Sequence, residues 1–375
     1  MFNFGVLLLL FVCAVIIIDV VLRHPSLALR FYYGPDHYYY ERSPFIPKLQ
    51  RHTPKVDLYA GVVSDLNYIS GRMWKEGKCH YVTDCYGYRN LVETPPPFPG
   101  TVILGNSFIN APKSDQSMIL SSQLNRMGFC CYNIGVNAIN LWEEMVNLKH
   151  QFKVNPQLSG VKQVVWAIFE GNALDGDFHE QTEPDELLAT PAKQFSVNLE
   201  NYYKRSVFRR LYKMLFVKRP VRNDVLFCDL DGREMLFYEP YVQKLHLDEK
   251  HVRSHEKMAA VEGIFTDMAD FAKEHDLEVI CVFIPIKSRV YEWVLKQESP
   301  GGFDVSLSSV ATVMNEFSGQ HGFAFLDLTP ILSSEAKRLY AEGGQLIYWH
   351  DDTHWNDVGI GISAAAIAQA LSVCC

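Results

Sequence analysis

The sequence has no excess of positive charge, no cysteine framework, no internal repeat and no low-complexity tract. With 35 Lys+Arg against 43 Asp+Glu the formal charge is -8, so no global basic field exists to hold a polyanion, and nucleic acid is not an expected partner. Nine cysteines in 375 residues are too few and too irregular for a disulfide scaffold. No CxxC faces a matching His or Cys pair, so a structural zinc site is not expected. What remains is 48% hydrophobic, 13% aromatic and 21% charged, the make-up of a globular chain of one or two domains.

Residues 4–22 read FGVLLLLFVCAVIIIDVVL with one charge, Asp19. Roughly 20 apolar residues is one bilayer crossing, and an uncleaved anchor over residues 1–25 is the expectation. The alternative is a cleaved signal peptide, but the small-x-small triplet Ser26-Leu27-Ala28 lies behind Arg23, His24 and Pro25, a poor setting for a cut. No Lys or Arg precedes the segment, while Arg23 and Arg30 follow it; these two charges favour a cytoplasmic body. Residues 26–80 then form a juxtamembrane stalk, whose Tyr32, Tyr33 and Tyr38 to Tyr40 suit either a membrane interface or packing against the body.

From about residue 100 the chain alternates short apolar runs with amphipathic stretches, which predicts an α/β fold. The runs Thr101–Leu104, Cys130–Ile134, Val164–Phe169, Val279–Ile284 and Phe323–Asp327 read as buried parallel strands. Apolar residues recur at three and four in Gln116–Met127, Leu141–Phe152, His251–His275 and Ser306–Gln320, and Asp357–Leu371 is rich in Ala and Ile; these read as covering helices. The expected architecture is a three-layer α/β/α sandwich with a parallel, flavodoxin-like sheet, and in such sheets ligands bind beyond the carboxyl ends of the strands.

Three strand ends carry polar residues. The first runs into Gly105-Asn106-Ser107-Phe108, placing a serine on a tight turn before a helix N-terminus; it is a candidate nucleophile or a plain helix cap. The second ends in Asn133-Ile134-Gly135-Val136-Asn137 and the third in Glu170-Gly171-Asn172. Backbone N–H groups and an amide on one rim suit an oxyanion hole, in which each donor contributes roughly 3–4 kcal/mol; turn chemistry is the other reading. Near the C-terminus comes His350-Asp351-Asp352-Thr353-His354-Trp355. A His that takes the serine proton, with an Asp holding its tautomer, makes a serine nucleophilic. The same cluster is dense in metal ligands, but a metal would not explain Ser107, Gly135 or Asn172. Neither metal nor cofactor is called for.

The order and spacing of these residues resemble the SGNH, or GDSL-type, hydrolase superfamily, whose blocks supply Ser, Gly, Asn and His in turn. The likeness is closest to the SGNH hydrolase-like domain of bacterial alginate O-acetyltransferase proteins, where a D-x-H-W pattern, here Asp352-Thr353-His354-Trp355, closes the domain and a strand ends in P-x-K, here Pro285-Ile286-Lys287. Thr83 to Asn90 also look like the approach to the first block. The resemblance implies Ser107 as nucleophile, His354 as base, Gly135 and Asn172 in the oxyanion hole, and Asp352 as triad carboxylate, although Asp351 fits the D-x-x-H of the wider superfamily. Asn106 and Ala173 stand where carboxylates are common, which leaves a non-catalytic glycan-binding or assembly protein as the competing class.

Lys287 is a candidate substrate-binding cation, or a solvated loop lysine like Arg89. The SGNH domain runs over 81–375, with a cap insertion at about 178–250 too long for a simple connection. Inside the cap, Lys204, Arg205, Arg209, Arg210, Lys213, Lys218, Arg219 and Arg222 alternate with Phe208, Leu211, Leu215 and Phe216, with no acidic residue between 204 and 222. Such a helix suits an anionic lipid surface, an acidic glycan, or simply a solvated cap face. The expectation is a membrane-anchored serine esterase or O-acetyltransferase, extracytoplasmic by resemblance, modifying a cell-envelope or extracellular polysaccharide. Its expected partners are an acylated glycan or small acyl ester, the membrane, and a membrane-bound acyl-donor protein.

Overall fold

A computed structural model of the chain describes residues 4–22, 40–42, 50–52, 57–62, 64–71, 77–90, 99–175, 190–204, 206–216, 222–298 and 308–374. Tyr32, Tyr33, Tyr38, Tyr39, Arg205, Lys218, Arg219 and the Ser26–Ala28 triplet lie outside them.

In chain order the elements that matter are α1 (Phe4–Leu22), α2 (Asp65–Ile69), β1 (Thr101–Leu104), α3 (Ser107–Asn110), α4 (Leu120–Arg126), β2 (Cys131–Asn133), α5 (Leu141–Val154), β3 (Gln163–Phe169), α6 (Pro191–Lys204) and α7 (Val207–Phe216). After a β-hairpin (Val225–Leu230 with Arg233–Tyr238) come α8 (Met258–His275), β4 (Glu278–Ile284), α9 (Lys287–Val290), α10 (Ser309–Gln320), β5 (Ala324–Asp327), α11 (Thr329–Gly343) and α12 (Asp357–Cys374).

All pairings in the central sheet are parallel, and the strand order is β5-β4-β3-β1-β2. This is the flavodoxin-like order, so the direction of winding reverses between β1 and β3 and opens a crevice at their carboxyl ends. β1 and β3 are buried along their whole length, and the two-residue period divides their side chains between two cores. Ile103, Val165 and Ala167 face one layer with Ile360 and Ile367 of α12. Val102, Leu104, Val164 and Trp166 face the other, with Val261, Ile264 and Phe265 of α8.

Two features differ from expectation. The helix expected over 251–275 is broken, with Glu249–Arg253 separate from α8. The apolar N-terminal stretch forms α1, but no helix among the described residues is long and apolar enough to cross a membrane, so the transmembrane element is not part of the observed architecture. The break in apolarity is Asp19: its side chain is buried against the protein, where Oδ1 accepts from Ser206 Oγ (3.0 Å) and from the Val207 backbone N–H (2.7 Å) at the start of α7.

Candidate active site

The turn after β1 is built by close approach. A Cβ on Gly105 would come within 2.6 Å of Ile109 Cγ1 and 3.1 Å of Ala167 Cβ, so only glycine lets α3 sit against the sheet. Asn106 caps α3, its Oδ1 accepting from the Phe108 N–H at 3.1 Å. At the other end Ala111 turns into the left-handed region at φ 48°. There the fully buried Arg89 donates to Asn110 O (2.9 Å), Ala111 O (2.6 Å) and Ser114 O (3.0 Å). Arg89 is thus a prop under the serine turn and not a solvated loop cation.

Ser107, the first residue of α3, is met from across the molecule by the loop before α12. Its Oγ lies 2.7 Å from His354 Nε2, and His354 Nδ1 lies 2.6 Å from Asp352 Oδ1. Of the two adjacent carboxylates, Asp352 is the one that faces the imidazole. Asp351 instead accepts from Asn67 Nδ2 (2.6 Å) and Lys113 Nζ (3.1 Å). Trp355 closes the motif by donating Nε1 to Phe108 O (3.1 Å), and Phe108 packs beside the His354 ring at 4.9 Å between centroids.

Electrostatics follow from this geometry. Burial alone would push the Asp352 carboxyl up, but the charges of the Lys113 ammonium and His354 and the hydrogen bonds from His354 hold it well below the usual carboxylate range. Burial pulls His354 down, yet Asp352 and Asp65 outweigh it and the imidazole titrates above its ordinary value. The arrangement keeps a permanent anion behind a histidine that accepts a proton readily, as a serine triad needs.

The oxyanion candidates divide. Asn172 follows β3, and its orientation is forced by its neighbours. Ile139 O can only accept, so it takes Nδ2–H (3.1 Å), while Oδ1 accepts from Asn106 Nδ2 (3.1 Å), whose own Oδ1 is already committed to the Phe108 N–H. Among the described residues the second Nδ2–H of Asn172 has no protein partner. The Gly135 N–H, by contrast, is bonded to Asn133 Oδ1 at 2.7 Å. The expectation that it donates to an oxyanion is therefore corrected: Gly135 serves contact, since a Cβ there would meet Ile109 Cγ2 at 2.6 Å. The turn carrying Asn172 is braced by the buried Glu170, which binds Arg289 Nε at 2.8 Å, Ser308 Oγ at 2.7 Å and the Ile286 N–H at 3.1 Å.

Lys287 also departs from expectation. It is 3% exposed, and its Nζ donates to the carbonyls of Leu236, Trp349, His350 and Asp352 at 2.7–3.1 Å. Burial lowers its pKa to about 7. It ties the histidine loop to the hairpin of the cap insertion and does not present an amine to substrate.

Two participants carried no sequence signal. Asp65, from the stretch read as stalk, donates its backbone N–H to Asp352 Oδ2 (3.0 Å) and accepts from the Thr353 N–H (2.9 Å) and Thr353 Oγ1. Its side chain is 37% exposed, but the packing around it and the charge of Asp352 push the carboxyl up to about 6. Lys113 lies 3.6 Å from Asp352 Oδ2, donates to Ser64 Oγ (2.6 Å) and sits over the Trp349 ring. Asp65, Asp352 and His354 also bring ligating atoms within 4.8 Å of one another, an arrangement that could hold a cation; both His354 nitrogens are engaged in the chain described above.

The model of the family "SGNH hydrolase-like domain, acetyltransferase AlgX" matches residues 240–373. That segment contains Lys287, Asp352 and His354, while Ser107, Gly135 and Asn172 precede it. Over 117 residues, 31% of this chain, the sequence is 27% identical to the "Probable alginate O-acetylase AlgJ" of Pseudomonas putida; the match spans 27% of that relative's length. Similar solved structures include an acetyl xylan esterase (10% identity, 72% of this chain, 98% of the other, TM-score 0.36). Another is a GDSL-like lipase from Bacteroides thetaiotaomicron (11% identity, 73% and 88%, TM-score 0.34). Motif order and family match agree: residues 240–373 are similar to the SGNH hydrolase-like domain of that acetyltransferase family.

Proposed function

We propose that the protein is a serine acyl-ester enzyme of the SGNH type, an O-acetyltransferase or acetylesterase acting on a cell-envelope or extracellular polysaccharide. The observation that carries this reading is the continuous chain Asp352 to His354 to Ser107, with both links at 2.6–2.7 Å. In the proposed mechanism His354 takes the Ser107 proton as Oγ attacks the ester carbonyl. Asn172 Nδ2–H and the Ser107 backbone N–H stabilise the oxyanion, and Asp352 holds the His354 tautomer and the imidazolium. His354 then returns the proton to the departing alcohol. Water as second acceptor gives an esterase and a sugar hydroxyl gives a transferase; the same residues serve both. The relatives favour acetyl transfer, with an acyl-donor protein in the membrane as partner. Membrane association through α1, whose side chains from Val6 to Val21 are largely exposed and apolar, and an extracytoplasmic site belong to the same proposal.

Turnover of a chromogenic acetyl ester, with and without an oligosaccharide acceptor, tests it. Wild-type protein is expected to release the chromophore and Ser107→Ala to release none. Equal rates in both would refute the assignment and favour a non-catalytic glycan-binding role.

A further inference from the structure

Exposed apolar surface is very unevenly spread. Of the 22 exposed large hydrophobic side chains among the described residues, 12 lie on α1 and six on α6 and α7. On α6 they are Phe195, Leu199 and Tyr203, and on α7 Phe208, Tyr212 and Phe216; each set recurs every fourth residue, so each helix shows one apolar-aromatic stripe. The three helices are neighbours. The Asp19 carboxylate of α1 accepts from Ser206 and Val207 at the start of α7, and Val15, Ile16, Leu199, Tyr203 and Phe208 line one cleft between them. A soluble surface seldom gathers so much apolar area unless a partner covers it.

Charge identifies the partner. Eight Lys or Arg and no acidic residue lie between 204 and 222. On α7 Arg209 borders the Phe208, Tyr212 and Phe216 stripe, and its guanidinium lies 5.1 Å from the Tyr203 ring centroid. An aromatic stripe next to a segment this rich in cations matches the boundary of an anionic bilayer, where rings enter the acyl region and cations meet headgroup phosphates. We infer that α6 and α7 form an interfacial platform that lies on an anionic lipid surface beside α1. This rests on the proposal of membrane association and adds a second, charge-selective contact, one that would hold the body in a fixed attitude to the bilayer.

The test uses the full chain reconstituted in vesicles of phosphatidylcholine, with or without phosphatidylglycerol. A benzophenone amino acid replaces Phe216, Phe11 or, on the sheet domain, Met127, and lipid adducts are read by intact mass; ester turnover reports folding. Adducts are expected at 216 and 11 and not at 127. The triple change Arg209→Gln, Arg210→Gln, Lys213→Gln should lower the yield at 216 in anionic vesicles by about tenfold and leave the yield at 11 unchanged. Adducts at 11 with none at 216 would overturn the platform alone. Adducts at 216 with none at 11 would overturn the role of α1 alone. Yield at 216 that ignores lipid charge, or is abolished by an added polyuronate, would overturn the lipid assignment in favour of an apolar or glycan partner.

Discussion

The two halves of the candidate site are held in different ways. The serine turn is supported mainly from nearby: Gly105 permits it, Asn106 caps it, and Arg89 secures its end. The histidine loop is supported from afar. Asp65 and Lys113 reach it across more than 200 residues of sequence, and Lys287 reaches it from the end of β4. A nucleophile needs only an exposed Oγ on a stiff turn. A base must hold one tautomer at one distance, and a loop without regular structure can do so only with outside bracing.

Four predictions, some with a paired control, test that contrast, taken from the largest expected effect downward. Asp352→Asn removes the anion behind the imidazole and reverses its tautomer preference, and should lower ester turnover by roughly 10⁴. Asp351→Asn disturbs the contacts to Lys113, Asn67, Ser64 and His350 but not the link to His354, and should cost far less; steady-state rates of the pair decide it. Asn172→Ala should lower kcat by roughly 10² to 10³ with KM nearly unchanged, because its free N–H meets charge absent from the ground state. Asn172→Gly should do the same, and near-normal kcat in it would reduce Asn172 to a turn former.

Lys287→Met takes the ammonium away from four carbonyls of the histidine loop and cap hairpin, of which that of His350 keeps the Leu236 N–H. It should cost about 1–3 kcal/mol, visible as a lower urea midpoint with an unchanged slope, together with a fall in kcat as the loop loosens. Arg89→Met is expected to destabilise similarly, so equal loss of kcat in both would erase the distinction between the halves.

The smallest effect concerns pH. His354 must be neutral to act, and its pKa is raised by Asp352 and Asp65, so the acid limb of kcat/KM should lie above the ordinary histidine value. Asp65→Asn keeps an oxygen for the Thr353 N–H but removes a charge 3.8 Å from His354 Nδ1. The limb should move to lower pH with little change in the plateau. Because the Asp65 carboxyl is itself raised to about 6, its ionisation opposes folding as pH rises through the interval from its ordinary value of 3.8 to about 6. The variant should therefore be no less stable than wild type at neutral pH.

The same contrast explains what could be read from the sequence. β1 is observed at Thr101–Leu104, where it was expected, and the other four strands differ by one residue at one or both ends, because a fully buried parallel strand is a bare apolar run bounded by turn residues. The polar rim residues follow directly from those strand ends. The break before α8 carries no Gly or Pro, and α11 buries only Thr329, Leu332 and Ala336, a stripe too thin to mark a helix. Asp65, Lys113 and the true surroundings of Lys287 were not legible for another reason. Their partners are set by how the cap hairpin and α2 dock on the histidine loop, and no local pattern records a contact across 287 residues. The Gly135 N–H is taken by Asn133, two residues away, and such a turn bond is indistinguishable from a free donor in sequence.

The central claim is that Ser107 is a nucleophile activated by His354. Exposure to a serine-directed organophosphonate followed by peptide mass mapping tests it most directly. A single adduct on the peptide containing Ser107 is expected in wild-type protein, lost in His354→Ala; an unmodified Ser107 peptide, or one modified equally in His354→Ala, would refute the activated nucleophile.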